Sequence, residues 1–193
     1  MTVIVAGVTK NDGVVIAADS QISYGSHLKI DGDGTSPKLW VDKERGFIFG
    51  GCGSLRHCQV LQYHVEWPKY RSDEHELMKF SVTEVVPAIR AGVEDHGILR
   101  DKNGVYTLES NIVMAWGDTN ILGIGSDFSV EPSTKGRLCD GSGYAEAYGS
   151  LGDKGIYTKD EIIEAARRAT LTAGGVGGDI YYVSSKDLII RKA

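Results

Sequence analysis

The sequence predicts an α+β fold, a four-layer αββα sandwich with helices outside two packed sheets, and three observations carry that reading. Its elements fall in blocks of strands, two helices, strands, two helices and strands, where a doubly wound sheet would alternate strand with helix. Glycine is in excess, 25 of 193 residues against a usual share of about 7 %, and it clusters between apolar segments as tight hairpins require. The apolar runs themselves are short, β-branched and bounded by Asp-Gly or Gly-Asp pairs, which is the hairpin signature.

Taken in order, residues 2–9 read as a strand, Asn11-Asp12-Gly13 as a turn and residues 14–20 as the returning strand. A polar, glycine-punctuated loop covers 24–37, and a second hairpin pairs 38–41 with 46–50. Residues 54–65 space Leu55, Cys58, Leu61 and Val65 as one helical face, with Ser54 as N-cap and Pro68 beyond the end. The box Ser81-x-x-Glu84 is expected to open a second helix over 82–95, kinked at Pro87. Residues 110–116 and 120–124 form a hairpin about Gly117-Asp118, and 137–141 a short strand. Helices are expected over 144–151 and over 161–172, the latter behind the box Thr158-x-x-Glu161, before closing strands at 179–184 and 188–191. No repeat or linker interrupts the chain, so one domain over 1–193 is expected.

Several function classes are set aside by composition. The net charge is −5 without a dense Lys/Arg run, which removes the electrostatic footprint of a nucleic-acid or anionic-membrane binder. No apolar stretch approaches the roughly 20 residues of a membrane span, and no secretory leader is recognised. Cys52, Cys58 and Cys139 lack C-x-x-C spacing, which suits free thiols in a reducing cytoplasm. No H-E-x-x-H, G-x-S-x-G or Walker A pattern occurs, and neither metal nor cofactor is expected. Gly51-Cys52-Gly53-Ser54-Leu55-Arg56 imitates a dinucleotide fingerprint but carries Arg56 in the third glycine position and follows two hairpins. Asp31-Gly32-Asp33-Gly34 suggests calcium, yet a loop starting at Asp31 would have Ser36 in the required glycine position.

The chemistry is concentrated at the N-terminus. A small residue behind Met1 permits removal of the methionine, and the freed α-amine of Thr2, titrating near about 8, can serve as base for its own hydroxyl. Alone, a second-position Thr is unremarkable in any protein. Behind it, however, follow Ala17-Ala18-Asp19, Ser36-Pro37-Lys38-Leu39, Gly50-Gly51-Cys52-Gly53-Ser54 and Gly141-Ser142-Gly143. Individually Asp19 is a turn residue, Lys38 a solvated charge, Gly53 a helix-entry glycine and Ser142 loop. In this order and spacing, over residues 2–184, the chain resembles the threonine peptidases of the proteasome β-subunit and HslV type, the N-terminal-nucleophile hydrolases.

That resemblance implies roles. Thr2 Oγ attacks the scissile carbonyl, Lys38 lowers the basicity of the neighbouring groups by its charge, Asp19 fixes Lys38, the Gly53 N–H completes an oxyanion hole, and Ser142 helps carry the proton. Matching positions line a pocket for the side chain before the cleaved bond with Ile22, Ser36, Trp40, Gly51 and Leu55. Stacked homo-oligomeric rings, unfolded-protein or peptide substrates and an AAA+ ATPase unfoldase are the implied partners. One departure stands out: where the family often places an acidic residue, this chain has Ala169-Thr170-Leu171-Thr172-Ala173 followed by Gly174-Gly175-Val176-Gly177-Gly178, leaving Thr170 or Thr172 as substitutes. Rival readings are a catalytically silent β-type scaffold subunit and a small-molecule amidase.

Overall fold

A computed structural model describes residues 1–24, 28–30, 38–72 and 76–193. Two five-stranded antiparallel sheets dominate it. The first has the order β12(Arg137–Asp140), β1(Ile4–Val8), β2(Val14–Asp19), β13(Ile180–Ser184), β14(Arg191–Lys192). The second has the order β11(Val130–Pro132), β10(Asn120–Ile124), β9(Ser110–Trp116), β6(Phe47–Gly53), β5(Leu39–Asp42). Helices α4(Tyr144–Leu151) and α5(Lys159–Thr172) cover the first sheet, while α1(Leu55–Tyr63), α2(Leu77–Phe80) and α3(Val86–Asp95) cover the second.

Strand alternation explains the four layers. In β1 and β2, Ile4, Ala6, Val8, Val14, Ile16 and Ala18 meet Ile48, Val113, Ala115 and Ile121 between the sheets. The intervening Val5, Val15 and Ala17 pack under α5 with Ile162, Ala165, Ala166 and Ala169. The second sheet sends Phe47, Phe49, Ile112, Met114 and Trp116 outward to Leu61, Phe80, Ile89 and Val93. With both faces covered, β1 and β2 are buried at every position, which is why their sequences are continuously apolar.

The expected hairpins and the helix over 144–151 are present, and the helix expected over 161–172 begins two residues earlier, at Lys159, with Thr158 and Glu161 forming the reciprocal cap. The second helix differs. It begins at Leu77, runs through a π-helical segment Ser81–Val85 and continues as α3. Ser81 is therefore interior, its Oγ donating to the Leu77 carbonyl at 2.7 Å, a back-bond that competes with a capping role. Pro87 lacks an N–H and its ring crowds the carbonyl four residues back; that residue, Thr83, lies in the π segment, whose wider turn absorbs the clash without a break. Ser54 holds the N-cap position of α1 without a side-chain cap bond. Three short pairings lie outside the expected strands: β3(Ile22–Tyr24) with β4(Leu28–Ile30), β7(Arg100–Lys102) with β8(Val105–Thr107), and the edge strand β11. The last strand is shifted to Arg191–Lys192, because Leu188 takes a positive φ of 55° and closes a turn. The loop positions Asp31 to Gly34 and Ser36 lie outside the described residues.

Candidate active site

Antiparallel order brings one end of each central strand together. The start of β1, the end of β2 and the end of β12 meet the start of β5 and the end of β6, which places Thr2, Asp19, Ser142, Lys38 and Gly53 at one edge of the sandwich. Asp19 is fully buried and Lys38 nearly so. Lys38 Nζ donates to Asp19 Oδ1 at 2.6 Å and to the Met1 carbonyl at 3.3 Å. Asp19 Oδ1 also accepts from Val3 N–H at 2.9 Å, and Oδ2 from Gly177 N–H at 3.1 Å. Burial holds the Lys38 ammonium below its ordinary 10.5, with Asp19 opposing that shift.

Thr2 is gripped through its backbone. Its N–H donates to Ser142 Oγ at 3.2 Å, while its carbonyl accepts from Ser142 Oγ at 3.3 Å and from Gly143 N–H at 3.2 Å. The glycine before Ser142 is required by shape: Gly141 has φ +86° and any Cβ there would collide with the Thr2 carbonyl. Gly53, at φ +108°, is similarly pressed against the Glu109 carbonyl. With Met1 attached, the Thr2 nitrogen is an amide and has no basicity.

Beside Thr2 lies a cavity of about 220 Å³, bordered by Thr2, Lys38 and Gly53 and by Ile22, Gly51 and Leu55. These are three of the five residues expected to be catalytic and three of the five expected wall residues. Trp40 is a correction. Alternation along β5 sends it to the helical side, where it is 2 % exposed and stacks on Phe49 with centroids 5.2 Å apart. It lies behind the cavity wall, since a Cβ on Gly51 would come within 2.9 Å of its ring and 2.8 Å of Cys58 Sγ.

Solved structures share this architecture. BPH from Thiobacillus denitrificans superposes with a TM-score of 0.73 at 16% identity, covering 100% of this chain and 98% of that chain, and has also been solved in complex with epoxomicin. Eukaryotic HslV from Trypanosoma brucei gives 0.61 at 17% identity over 94% of this chain and 99% of that chain. The fold is that of HslV and BPH. Anbu from Hyphomicrobium sp. strain MC1 gives 0.67 at 14% identity over 98% of this chain and 86% of that chain. No protein-family model and no curated protein sequence matches the chain.

Within this HslV-type fold the acid-poor segment takes an unexpected form. Thr170 Oγ1 and Thr172 Oγ1 bond back to the carbonyls of Arg167 and Arg168, so neither hydroxyl substitutes for a carboxylate at the site. The glycine run arrives instead, through Gly177. Sequence reasoning also missed Gln21, Ser23 and Cys58 as cavity-lining residues; the contact of Gln21 follows from the glycine loop folding back on β2, which no local pattern announces. The three thiols are buried and free, with burial pushing Cys52 and Cys139 up to about 12 and Cys58 up to about 11. Among the described residues no helix is long and apolar enough to cross a membrane.

Proposed function

We propose that the chain is a threonine endopeptidase, one peptidase domain over residues 1–193 whose nucleophile is Thr2 once Met1 has been removed. The observation that carries this reading is the buried Asp19–Lys38 pair bonded to the Met1 carbonyl and the Val3 N–H on either side of Thr2, with Ser142 Oγ 3.2 Å from the Thr2 nitrogen. Burying an ion pair costs several kcal/mol per ion before attraction repays it, and a fold has no structural need of one at the start of its first strand. Once Met1 is gone, Lys38 Nζ loses its carbonyl acceptor and is left facing the new amine. A cation there favours the neutral amine and the developing alkoxide. The Thr2 hydroxyl then adds to the scissile carbonyl as its proton passes to the amine. The Gly53 N–H stabilises the oxyanion, and the amine returns the proton to the departing nitrogen. Water releases the acyl group from Thr2 by the same route in reverse. Intact-mass analysis of the mature protein tests the premise: the mass must correspond to a chain starting at Thr2, and a chain retaining Met1 in a turning-over preparation would end the proposal. Epoxomicin, the compound held by BPH in its complex, is a convenient probe and should suppress turnover.

Specificity follows from the cavity. Its walls include Ile22, Leu55 and Cys58, Gly51 adds no side chain, and the Lys38 cation is engaged by Asp19. Burial of a Leu or Phe side chain is worth about 1.5–3 kcal/mol, so cleavage after Leu or Tyr should exceed cleavage after Glu by roughly tenfold or more. A set of fluorogenic peptides ending in Leu, Tyr, Arg or Glu measures this. Faster cleavage after Glu would show that another surface receives the side chain.

Assembly into stacked rings, fed by an AAA+ unfoldase, is the arrangement that keeps an undiscriminating nucleophile from folded proteins. The helical layers leave Tyr63, Val82 and Leu171 at 71 %, 52 % and 79 % exposure, apolar surface suited to contacts between copies. The expected sizing-column profile is a particle of about a dozen or more subunits, as the ring resemblance implies. Elution as a monomer at micromolar concentration would remove the compartment from the proposal.

A further inference from the structure

The Gly174–Gly178 run is tied to the candidate site by one buried side chain. Gln21, two residues beyond Asp19, is 5 % exposed. Its Nε2 donates to the Gly175 carbonyl at 2.9 Å and to Ser23 Oγ at 3.2 Å, and its own N–H donates to the Gly177 carbonyl at 3.0 Å. Gln21 thus holds the loop at two points, at Gly175 through its carboxamide and at Gly177 through its backbone N–H. At its far end Gly177 packs so closely on the carboxamide that a Cβ there would displace Gln21 Oε1. The loop held in this way delivers the Gly177 N–H to Asp19 Oδ2 at 3.1 Å. In the unprocessed chain the Met1 side chain also lies against Gly175.

From this geometry we infer that Gln21 is a positioning residue, a carboxamide strut that holds the glycine loop so that the Gly177 N–H fixes the orientation of Asp19. The inference rests on the reading of Thr2, Asp19 and Lys38 as catalytic. Asp19 has two oxygens with different duties. Oδ1 takes Lys38 and Val3, and Oδ2 takes Gly177. Without the Gly177 bond the carboxylate is anchored through Oδ1 alone and can tilt about that anchor, shifting the Lys38 ammonium. Displacement of a catalytic group by about 1 Å from such a remote change typically costs on the order of 100-fold in rate. The strut explains how the site closes with no carboxylate in the 169–178 segment: the loop contributes a backbone donor, and glycine is what lets the backbone approach so closely.

The test uses the assembled, Met1-free protein and two variants. Gln21→Met keeps the length of the side chain and removes its hydrogen bonds; Gln21→Glu keeps the shape but, ionised, repels the Gly175 carbonyl, and serves if the first variant fails to fold. Amide hydrogen exchange at Gly177 should accelerate by at least about tenfold in either variant as its bond to Asp19 opens. The kcat should fall about 10- to 100-fold, by the same factor for peptides ending in Ala, Leu and Tyr. Unchanged Gly177 exchange would overturn the strut. So would accelerated exchange with kcat intact, or a fall confined to the large side chains, which would make Gln21 a pocket wall and nothing more. If the wild-type protein cleaves no peptide, the catalytic reading fails by itself, while the exchange measurement still decides whether Gln21 holds the loop.

Discussion

Replacing Thr2 with alanine is expected to abolish peptide hydrolysis and leave the sandwich folded. The two effects separate because Thr2 is held by backbone atoms that alanine retains: its N–H on Ser142 Oγ, and its carbonyl under Ser142 Oγ and Gly143 N–H. What alanine removes is the hydroxyl, the proposed attacking atom. Loss of a nucleophile that acts as a unit with its base removes nearly all of the acceleration the set provides, on the order of a million-fold in a well-studied serine peptidase. The variant should therefore show no turnover above background with a melting temperature near that of the parent. Thr2→Ser retains hydroxyl and amine and should keep part of the activity. Turnover by Thr2→Ala at the parental rate would remove Thr2 from the mechanism.

The hairpins and the site were legible in the sequence to different depths, for physical reasons. Strands β1, β2, β9 and β10 are apolar on both faces and end at Gly13 or Gly117, each with positive φ, so period and turn chemistry point the same way. The cap of α5 is equally local, a reciprocal pair three residues apart. The second helix starts before the position its sequence suggests because Ser81 and Glu84 reproduce a cap pattern, while the half-buried Leu77 and buried Phe80 lie upstream of that box. Thr2, Asp19, Lys38, Gly53 and Ser142 are named only through the resemblance of their order and spacing to the threonine peptidases, since each alone reads as a turn, a solvated charge or a loop residue. Trp40 could not be placed, since a Trp at a strand position faces the core or the cavity according to a register that only pairing with β6 sets. Gly177 and Gln21 were illegible for a deeper reason. Their contact spans 156 positions and is made by backbone amides, which carry no residue-specific signal.

Asp19→Asn should lower both stability and turnover, and pH should separate the two. Asp19 is wholly buried and Lys38 is 8 % exposed at its side chain, so neutralising one partner leaves an ammonium without its counter-ion. Breaking a buried pair in this way costs about 3–5 kcal/mol. At about 2–4 °C per kcal/mol for a chain of this size, the melting temperature should fall by about 6–20 °C. Asparagine still offers an oxygen to the Val3 N–H, which confines the loss to the charge and to the Gly177 contact. The sign of the pH effect follows from Lys38. Its pKa in the folded protein already lies below 10.5 because of burial, and removing Asp19 removes the charge that opposed the shift. Between that lowered value and 10.5 the unfolded chain binds more protons than the folded one, so stability rises with pH across this window. The deficit of Asp19→Asn relative to the parent should therefore be largest below the lowered pKa and shrink toward pH 10. Adding Lys38→Met removes the buried charge altogether; because a buried pair replaced by neutral groups of similar volume is often neutral or better, the double variant should recover most of the melting temperature and none of the turnover. Thermal melts of the two variants from pH 6 to 10, with peptide turnover at pH 8, give the answer. An Asp19→Asn protein that melts and turns over like the parent would reduce the pair to an ordinary surface contact.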